Sequence, residues 1–371
     1  MTKTVYNFSP GPSVLPEAAL KAAAAAAIEF RGSGLSLLTM SHRSKPVVEM
    51  FAETEALLRE LLSIPSNFKV MFLQGGASLQ FCMVPMNLLP QDAIADYTDT
   101  GEWGAKATKE AKNFGKVNIA GSSKEATYTF IPKDLKQSAD AVYLHVTSNN
   151  TIFGTQWKTF PTPVNPKAYL IADMSSDFLS RPIDWSKFGL VYAGAQKNAG
   201  PAGVCLVIVR EDLLGKTGRV IPTMLDYTTH IKKDSMFNTP PVFSVYVMNE
   251  TFKWLKAMGG VKAIQAINER KAAKLYAEID RNPMFKGTAA VEDRSTMNVP
   301  FVFDPAKVPA EAKEAKEKEF LAFAKSRGLE TLGGHRIVGG FRASIYNAMP
   351  EAGIDALISA MQDYAKQNGI A

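Results

Sequence analysis

At 371 residues the chain is long enough for one large and one smaller domain, each with its own core. Lysine and arginine outnumber acids 42 to 36, and this excess is spread along the chain with no basic arm, which argues against a nucleic-acid-binding protein and favours small anionic partners. Two cysteines cannot build a disulfide framework, and no continuous apolar run reaches the roughly 18 residues a membrane span needs.

The N-terminus opens on turn chemistry, Asn7-Phe8-Ser9-Pro10-Gly11-Pro12, where a secretory signal would carry an apolar core. Alanine-rich residues 16–30 predict a helix, with Pro16 tolerated in its first turn. Residues 45–62 place Val48, Phe51, Leu57, Leu58, Leu61 and Leu62 at helical spacing. A short strand follows at 69–73, then the turn Gln74-Gly75-Gly76-Ala77-Ser78 and a helix to about Leu89. Further strand-length apolar runs lie at 141–146, 168–172, 190–193 and 204–209. Their apolarity is continuous, without alternation, which predicts strands covered on both faces and hence a mostly parallel sheet flanked by helices. Cys82 and Cys205 both sit in apolar contexts that read as buried core, and unpaired thiols fit a cytoplasmic protein.

Beyond Pro241 the pattern changes. Long helices are predicted at 242–258 and 261–280, a strand at 299–303, a charged helix at 309–327, a strand at 341–346 and a last helix at 351–367. The run Glu311–Glu319 reads as a solvated helix face. This alternation predicts a second, smaller C-terminal α/β domain. The division is placed at 16–265 for the large domain and 266–371 for the small one, joined by residues 1–15.

The chemistry is carried by two strand ends. Leu170-Ile171-Ala172-Asp173 ends an apolar run on an acid, and Tyr192-Ala193-Gly194-Ala195-Gln196-Lys197-Asn198 sets a lysine between an apolar strand and a small-residue turn. One strand–connection–strand length separates them, so the two groups fall at neighbouring strand ends of an α/β sheet. A lysine that can form a Schiff base with an aldehyde, and an acid that can keep a pyridine nitrogen protonated, suit pyridoxal phosphate. A solvated lysine and a helix-capping aspartate would give the same pattern. Gly75-Gly76-Ala77-Ser78 joins a strand to a helix and either seats a phosphate on backbone N–H groups or is an ordinary tight turn. Trp103 follows the turn at Gly101 and suits either stacking on a ring or plain packing. Thr151 sits just past a strand, where its hydroxyl serves a ring oxygen or its own turn. Two basic clusters, His42-Arg43 and His335-Arg336 with Arg342 nearby, suit carboxylates or phosphates.

Taken together, Asn7–Pro12, Ser41-His42-Arg43, Gly101-Glu102-Trp103, Ala172–Ser176, Ala193–Asn198, Phe237-Asn238-Thr239-Pro240-Pro241 and Arg342–Asn347 resemble, in order and over almost the whole chain, the phosphoserine aminotransferases. These are class V members of the fold-type I pyridoxal phosphate transferases. The resemblance implies that Lys197 is the Schiff-base lysine and Asp173 the partner of the pyridine nitrogen. It implies that Trp103 stacks on the ring, that Thr151 meets its 3-oxygen, and that Ala77, Ser78, Ser175 and Gln196 gather round phosphate and ring. Asn238 and Thr239 match positions that reach the cofactor phosphate of a neighbouring subunit, which implies a homodimer. Ser9, Arg43, His335, Arg336 and Arg342 match substrate-binding positions, and His42 is added from its place beside Arg43. Many members carry Gly-Arg where this chain has Ala77-Ser78, so the phosphate here is expected to lean on N–H groups, hydroxyls and the helix dipole. The implied reaction exchanges an amino group between O-phospho-L-serine and 2-oxoglutarate, with 4-phosphohydroxy-L-threonine left open as a further substrate and no metal expected. Rival readings are a class V enzyme for alanine, serine or glyoxylate, a cysteine desulfurase, and a non-catalytic anion-binding protein. The second cationic cluster speaks against the first, the packed cysteines against the second, and the Asp173–Lys197 pair against the third.

Overall fold

The computed structural model describes residues 4–370. A short strand β1 (Tyr6–Asn7) precedes helices α1 (Glu17–Ile28) and α2 (Lys45–Leu62). The chain then runs through β2 (Phe68–Leu73), α3 (Gly76–Leu88), β3 (Ile94–Asp99), α4 (Glu102–Ala111), β4 (Lys116–Ser122), β5 (Tyr143–Thr147), β6 (Tyr169–Asp173), β7 (Phe188–Gly194) and β8 (Cys205–Arg210). After α5 (Tyr227–Ile231), helices α6 (Val242–Ala257) and α7 (Gly260–Arg281) lead to β9 (Phe285–Gly287) and β10 (Asn298–Phe303). Helix α8 (Ala310–Ser326), β11 (Leu329–Glu330), β12 (Phe341–Ser344) and α9 (Glu351–Gln367) complete the order.

The central sheet has the strand order β2-β8-β7-β6-β5-β3-β4. Strand β8 pairs antiparallel with both its neighbours, and the other pairings are parallel. Strands β5, β6 and β7 are buried along their whole length, as their continuous apolarity requires. One face of the sheet packs Leu144, Val146, Leu170, Ala172, Val191 and Ala193 beneath α2 and α6; the other packs Tyr97, Ile171, Leu190 and Tyr192 beneath α3. Helix α2 buries Val47, Met50, Phe51, Thr54, Leu58, Leu61 and Leu62. Val48, expected in that stripe, is 40% exposed, because the turn of the helix brings its neighbour Val47 to the core face.

The predicted strands and helices recur with ends moved by at most two residues. Seven elements went unread: the short β1, α5, β9 and β11, and the longer β3, α4 and β4. Strand β3 buries Asp96, Thr98 and Asp99, so a hydrophobic pattern does not reveal it. Asp96 is satisfied by Asn118 Nδ2 at 2.8 Å and by the Ser138 N–H and hydroxyl at 2.8 and 2.9 Å. Asp99 accepts from the Ser122 hydroxyl at 3.1 Å. Cys205 is fully buried, but Cys82 is only half-buried, at the margin of the core under α3.

A second core forms around the antiparallel sheet β12-β10-β9 and helices α7, α8 and α9. Phe285, Phe301, Phe303, Phe320 and Phe341 interlock there, with ring centroids 4.8 to 6.3 Å apart. The N-terminal segment is tied to this core: β1 pairs in parallel with β11, and Phe8 is fully buried among its side chains. Helix α7 runs through residues 265 and 266 without a break. Its Val261 and Ile264 belong to the large core, and Ala272, Leu275, Tyr276 and Ile279 to the small one. Gly154 makes the close contact between the two bodies. At φ +73° it leaves no room for a side chain, since a Cβ would fall 2.2 Å from Pro300 Cδ. Among the described residues no helix is long and apolar enough to cross a membrane.

Candidate active site

Asp173 is the last residue of β6, and Lys197 lies three residues past the end of β7, the parallel neighbour of β6. Both therefore emerge at the carboxyl edge of the sheet, where α/β proteins bind ligands. They line one cleft with the first turn of α3, with Trp103 at the start of α4, and with Ser175 and Gln196.

The Asp173 carboxylate is buried, and one oxygen, Oδ1, accepts both the Ser175 N–H at 2.9 Å and the Ser175 hydroxyl at 2.6 Å. The same hydroxyl accepts the Gly194 N–H at 3.0 Å, which couples the ends of β6 and β7. Asp173 caps no helix; it closes the turn that follows its own strand. Burial raises its pKa, while Ser175's two hydrogen bonds and the nearby Lys197 oppose the rise. A carboxylate in that setting is poised to gain from a cationic N–H.

The Lys197 amine donates to Thr151 Oγ1 at 2.6 Å and stands 5.8 Å from the Trp103 ring centroid. Burial lowers its pKa to about 8; Asp173 pulls it up and Arg342 pushes it down. This is not a solvated surface lysine. The N-terminal segment lies against it: the Gly11 Cβ position is 3.4 Å from Lys197 Cγ, and Ser13 bonds the carbonyls of Gln196 and Lys197. Ser9 sits on this segment with its hydroxyl bonded to the Gly11 N–H at 3.4 Å.

Helix α3 starts at Gly75, which has φ +83° and no capping side chain. A Cβ there would fall 2.6 Å from Leu79 Cδ2, so the turn requires glycine. Gly76, Ala77 and Ser78, in this first turn without a side-chain cap, line the cleft, and the free N–H groups and dipole of such a turn suit an anion. Thr147 Oγ1, Trp103 Nε1 and Arg342 Nε are buried around the cleft without a partner among the described residues. An anion seat, a flat indole, a lowered amine, a raised acid and unused polar atoms match the needs of pyridoxal phosphate.

Arg342 comes from β12 of the second body and is 7% exposed. Its Nη1 donates to the Thr151 carbonyl at 3.2 Å. Thr151 thus touches Lys197 with its side chain and Arg342 with its backbone. His335 is half-buried nearby, where burial, then Arg342 and Arg336, lower its pKa. Arg336 is exposed.

The structure does not gather every expected residue. His42 is half-buried with Nε2 unpartnered, and Arg43 is exposed; neither bonds Lys197, Thr151 or Arg342 among the described residues. Asn238 and Thr239 are exposed outside this cleft. Asn238 lines a separate pocket with Phe72, Leu73 and Gln74, and the Thr239 carbonyl accepts from Gln74 Nε2 at 3.2 Å. Conversely, Thr147, Asn149 and Ser176 line the cleft and were not singled out from the sequence. Their signal was the run Thr147-Ser148-Asn149-Asn150-Thr151, five polar residues directly after an apolar strand, all of them buried. Lys106 was also missed; its ammonium lies 4.6 Å from the Trp103 centroid.

The model of the class V aminotransferase family matches residues 5–357. The phosphoserine aminotransferase of Parabacteroides distasonis is 53% identical over 363 residues, which cover 98% of this chain and 99% of that one. A solved phosphoserine aminotransferase, studied for radiation damage of its Schiff base, superposes with a TM-score of 0.93 at 47% identity, covering 99% of this chain and 100% of its own. The phosphoserine aminotransferase of Trichomonas vaginalis, solved with pyridoxal phosphate bound, gives 0.90 at 41% identity, covering 97% of this chain and 100% of its own.

Proposed function

The chain belongs to the class V aminotransferases, in the phosphoserine aminotransferase branch, and from that premise we propose how its residues carry pyridoxal-phosphate-dependent amino transfer. The reaction is the reversible exchange between O-phospho-L-serine with 2-oxoglutarate and 3-phosphohydroxypyruvate with glutamate, the transamination of serine biosynthesis. Pyridoxal phosphate, when bound, supplies an electrophilic aldehyde and a ring that accepts electron density from the substrate's α-carbon.

With the cofactor bound, Lys197 Nζ would hold its aldehyde carbon. Freed when the substrate amine takes its place, the same Nζ would take the α-proton and deliver it to the cofactor-side carbon, a task that its lowered pKa of about 8 suits near neutral pH. Asp173 keeps the pyridine nitrogen protonated, and the added cation offsets the burial that raises its own pKa. Ser175 orients that carboxylate through its two bonds to Oδ1. The first turn of α3 with Ala77 and Ser78, together with Gln196, would hold phosphate and ring, and Trp103 and Thr151 would pack against and hydrogen-bond the ring.

Arg342 binds the α-carboxylate with its planar fork. Ser9, His42, Arg43, His335 and Arg336 serve the phosphate or side-chain carboxylate. Asn238 and Thr239, exposed and outside their own chain's cleft, fit a role at the cofactor phosphate of a second subunit, which makes a homodimer the active form. The observation that carries this reading is the Thr151 bridge: one residue contacts both the amine at 2.6 Å and the guanidinium at 3.2 Å, so cofactor and substrate groups share one cleft.

Borohydride reduction of the holoenzyme followed by peptide mapping tests the anchor. The label is expected on Lys197, and a label on any other side chain overturns the assignment. Turnover of phosphoserine against alanine, with one acceptor, tests the substrate class: a preference for alanine would refute it.

A further inference from the structure

Helix α7 buries a cation that none of the roles above employs. Lys271 is 0% exposed. Among the described residues no carboxylate pairs with it, and Glu351, engaged by Arg270 and Lys274, acts on it only through space. Its ammonium donates instead to three main-chain carbonyls: Ile345 at 3.0 Å, Tyr346 at 2.7 Å and Met349 at 3.0 Å. All three N–H bonds are thereby used. Burial is unfavourable for a charge with no counter-ion, and it holds this lysine at about 7. A methionine of similar length would fill the same space without that penalty. It could not draw three carbonyl dipoles to one point.

The loop so gathered, 345–349, directly follows the strand that carries Arg342. It is also bonded to the large body at the residue beside the reactive lysine. The Asn347 N–H donates to Asn198 Oδ1 at 2.9 Å, and Asn347 Nδ2 donates to the Leu179 carbonyl at 3.0 Å. Asn198 Nδ2 in turn donates to the Phe178 carbonyl at 2.9 Å, which ties this point to the segment following Asp173. Asn268, one turn before Lys271 on α7, donates to Asn347 Oδ1 at 2.7 Å. The Tyr346 hydroxyl reaches the Pro10 carbonyl at 2.8 Å, on the segment that lies against Lys197.

We infer that Lys271 is a positioning residue for amino transfer: by gathering the carbonyls of loop 345–349 it holds Asn347 on Asn198 and so sets the separation of Lys197 from Arg342. The inference rests on the roles given above to those two residues.

The test uses the pyridoxal phosphate-loaded enzyme and the variants Lys271→Met, Asn347→Ala and the pair together. Each single variant is expected to raise KM for phosphoserine about five- to tenfold and to shift the pH midpoint of the visible cofactor band, and the double variant to be far less than additive. A Lys271→Met protein with a lowered melting temperature but unchanged KM and unchanged pH midpoint would make the lysine merely structural and overturn the inference. Should that variant not fold, Asn347→Ala decides alone: an unchanged KM overturns the inference, and the expected rise supports it. Arg342→Lys, run beside them, separates this from the roles it rests on. If Arg342→Lys leaves KM unchanged, the assignment of Arg342 is what fails.

Discussion

Arg342→Met separates a binding role from a structural one. In the free protein the guanidinium makes one hydrogen bond, Nη1 to the Thr151 carbonyl at 3.2 Å, and its buried Nε has no partner. Losing that one bond while keeping the side-chain volume costs about 1 kcal/mol of stability. Losing the contact with a substrate carboxylate costs more, about 2–5 kcal/mol for one half of a buried charge pair, or roughly 30-fold to several thousand-fold in kcat/KM. Catalytic efficiency should therefore collapse while the melting temperature barely moves and visible cofactor absorbance persists. A second readout follows from the charges. The Lys197 amine is held at about 8 by burial, against the pull of Asp173, with Arg342 pushing it further down. Removing that cation favours the ammonium, so the pKa of Lys197 must rise. The rate at which cofactor-free protein captures pyridoxal phosphate, followed against pH, reports the neutral amine and should move to higher pH. Arg342→Lys should fall between parent and Met, because an ammonium keeps the charge but loses the fork. A KM within about threefold of the parent, or loss of cofactor absorbance in step with substrate binding, refutes the role.

Three further outcomes are expected. Ser175→Ala removes the hydroxyl bond that lowers the pKa of Asp173, leaving only the backbone one, and strands the Gly194 N–H, so the affinity for pyridoxal phosphate in a visible titration should drop about tenfold; unchanged affinity would mean the Ser175 hydroxyl does not orient the acid. Lys197 at about 8 and Lys271 at about 7 both lie below the unfolded lysine value of about 10.4, so above pH 7 the unfolded chain binds more protons and stability rises with pH. Melting of the cofactor-free protein should thus shift upward from pH 7 to about 8.5, and the rise should lessen beyond that, where the Cys205 thiol, whose pKa burial raises in the fold, begins to ionise in the unfolded chain; a downward shift between pH 7 and about 8.5 refutes the argument. Phe320→Ala empties a fully buried position among Phe285, Phe303, Phe341 and Tyr364 and should cost about 3–5 kcal/mol in denaturant unfolding; a loss under about 1 kcal/mol would show that the small core collapses around the gap.

The sequence disclosed most where a residue's environment and its chemistry pull apart. A lysine at the end of the fully apolar strand 188–194, and an acid at the end of 169–173, are placements that packing alone does not favour, and both proved to face one cleft. The large sheet was legible for a related reason, since strands buried on both faces leave no polar alternation to misread. Strand Ile94–Asp99 was not, because it buries Asp96, Thr98 and Asp99, and what makes them tolerable is partners 22 to 47 residues onward. Hydrophobic patterning has no access to satisfaction at that distance.

Asn238 and Thr239 carry the argument one step beyond a single chain. The resemblance made them cofactor ligands; the fold places them exposed, outside the cleft lined by Lys197. Both placements hold together if the ligand they serve belongs to another copy of the chain. A mixed dimer tests this directly. Combining a Lys197→Ala subunit with an Asn238→Ala, Thr239→Ala subunit gives one intact site and one lacking both anchor and pair if the partner supplies the asparagine and threonine, but one site lacking only the anchor and one lacking only the pair if each chain supplies its own. If the partner supplies it, the intact Lys197 faces intact Asn238 and Thr239, and cofactor affinity at that site should equal the parent's. If each chain serves itself, the only lysine left sits beside alanines, and the affinity should fall by about tenfold or more.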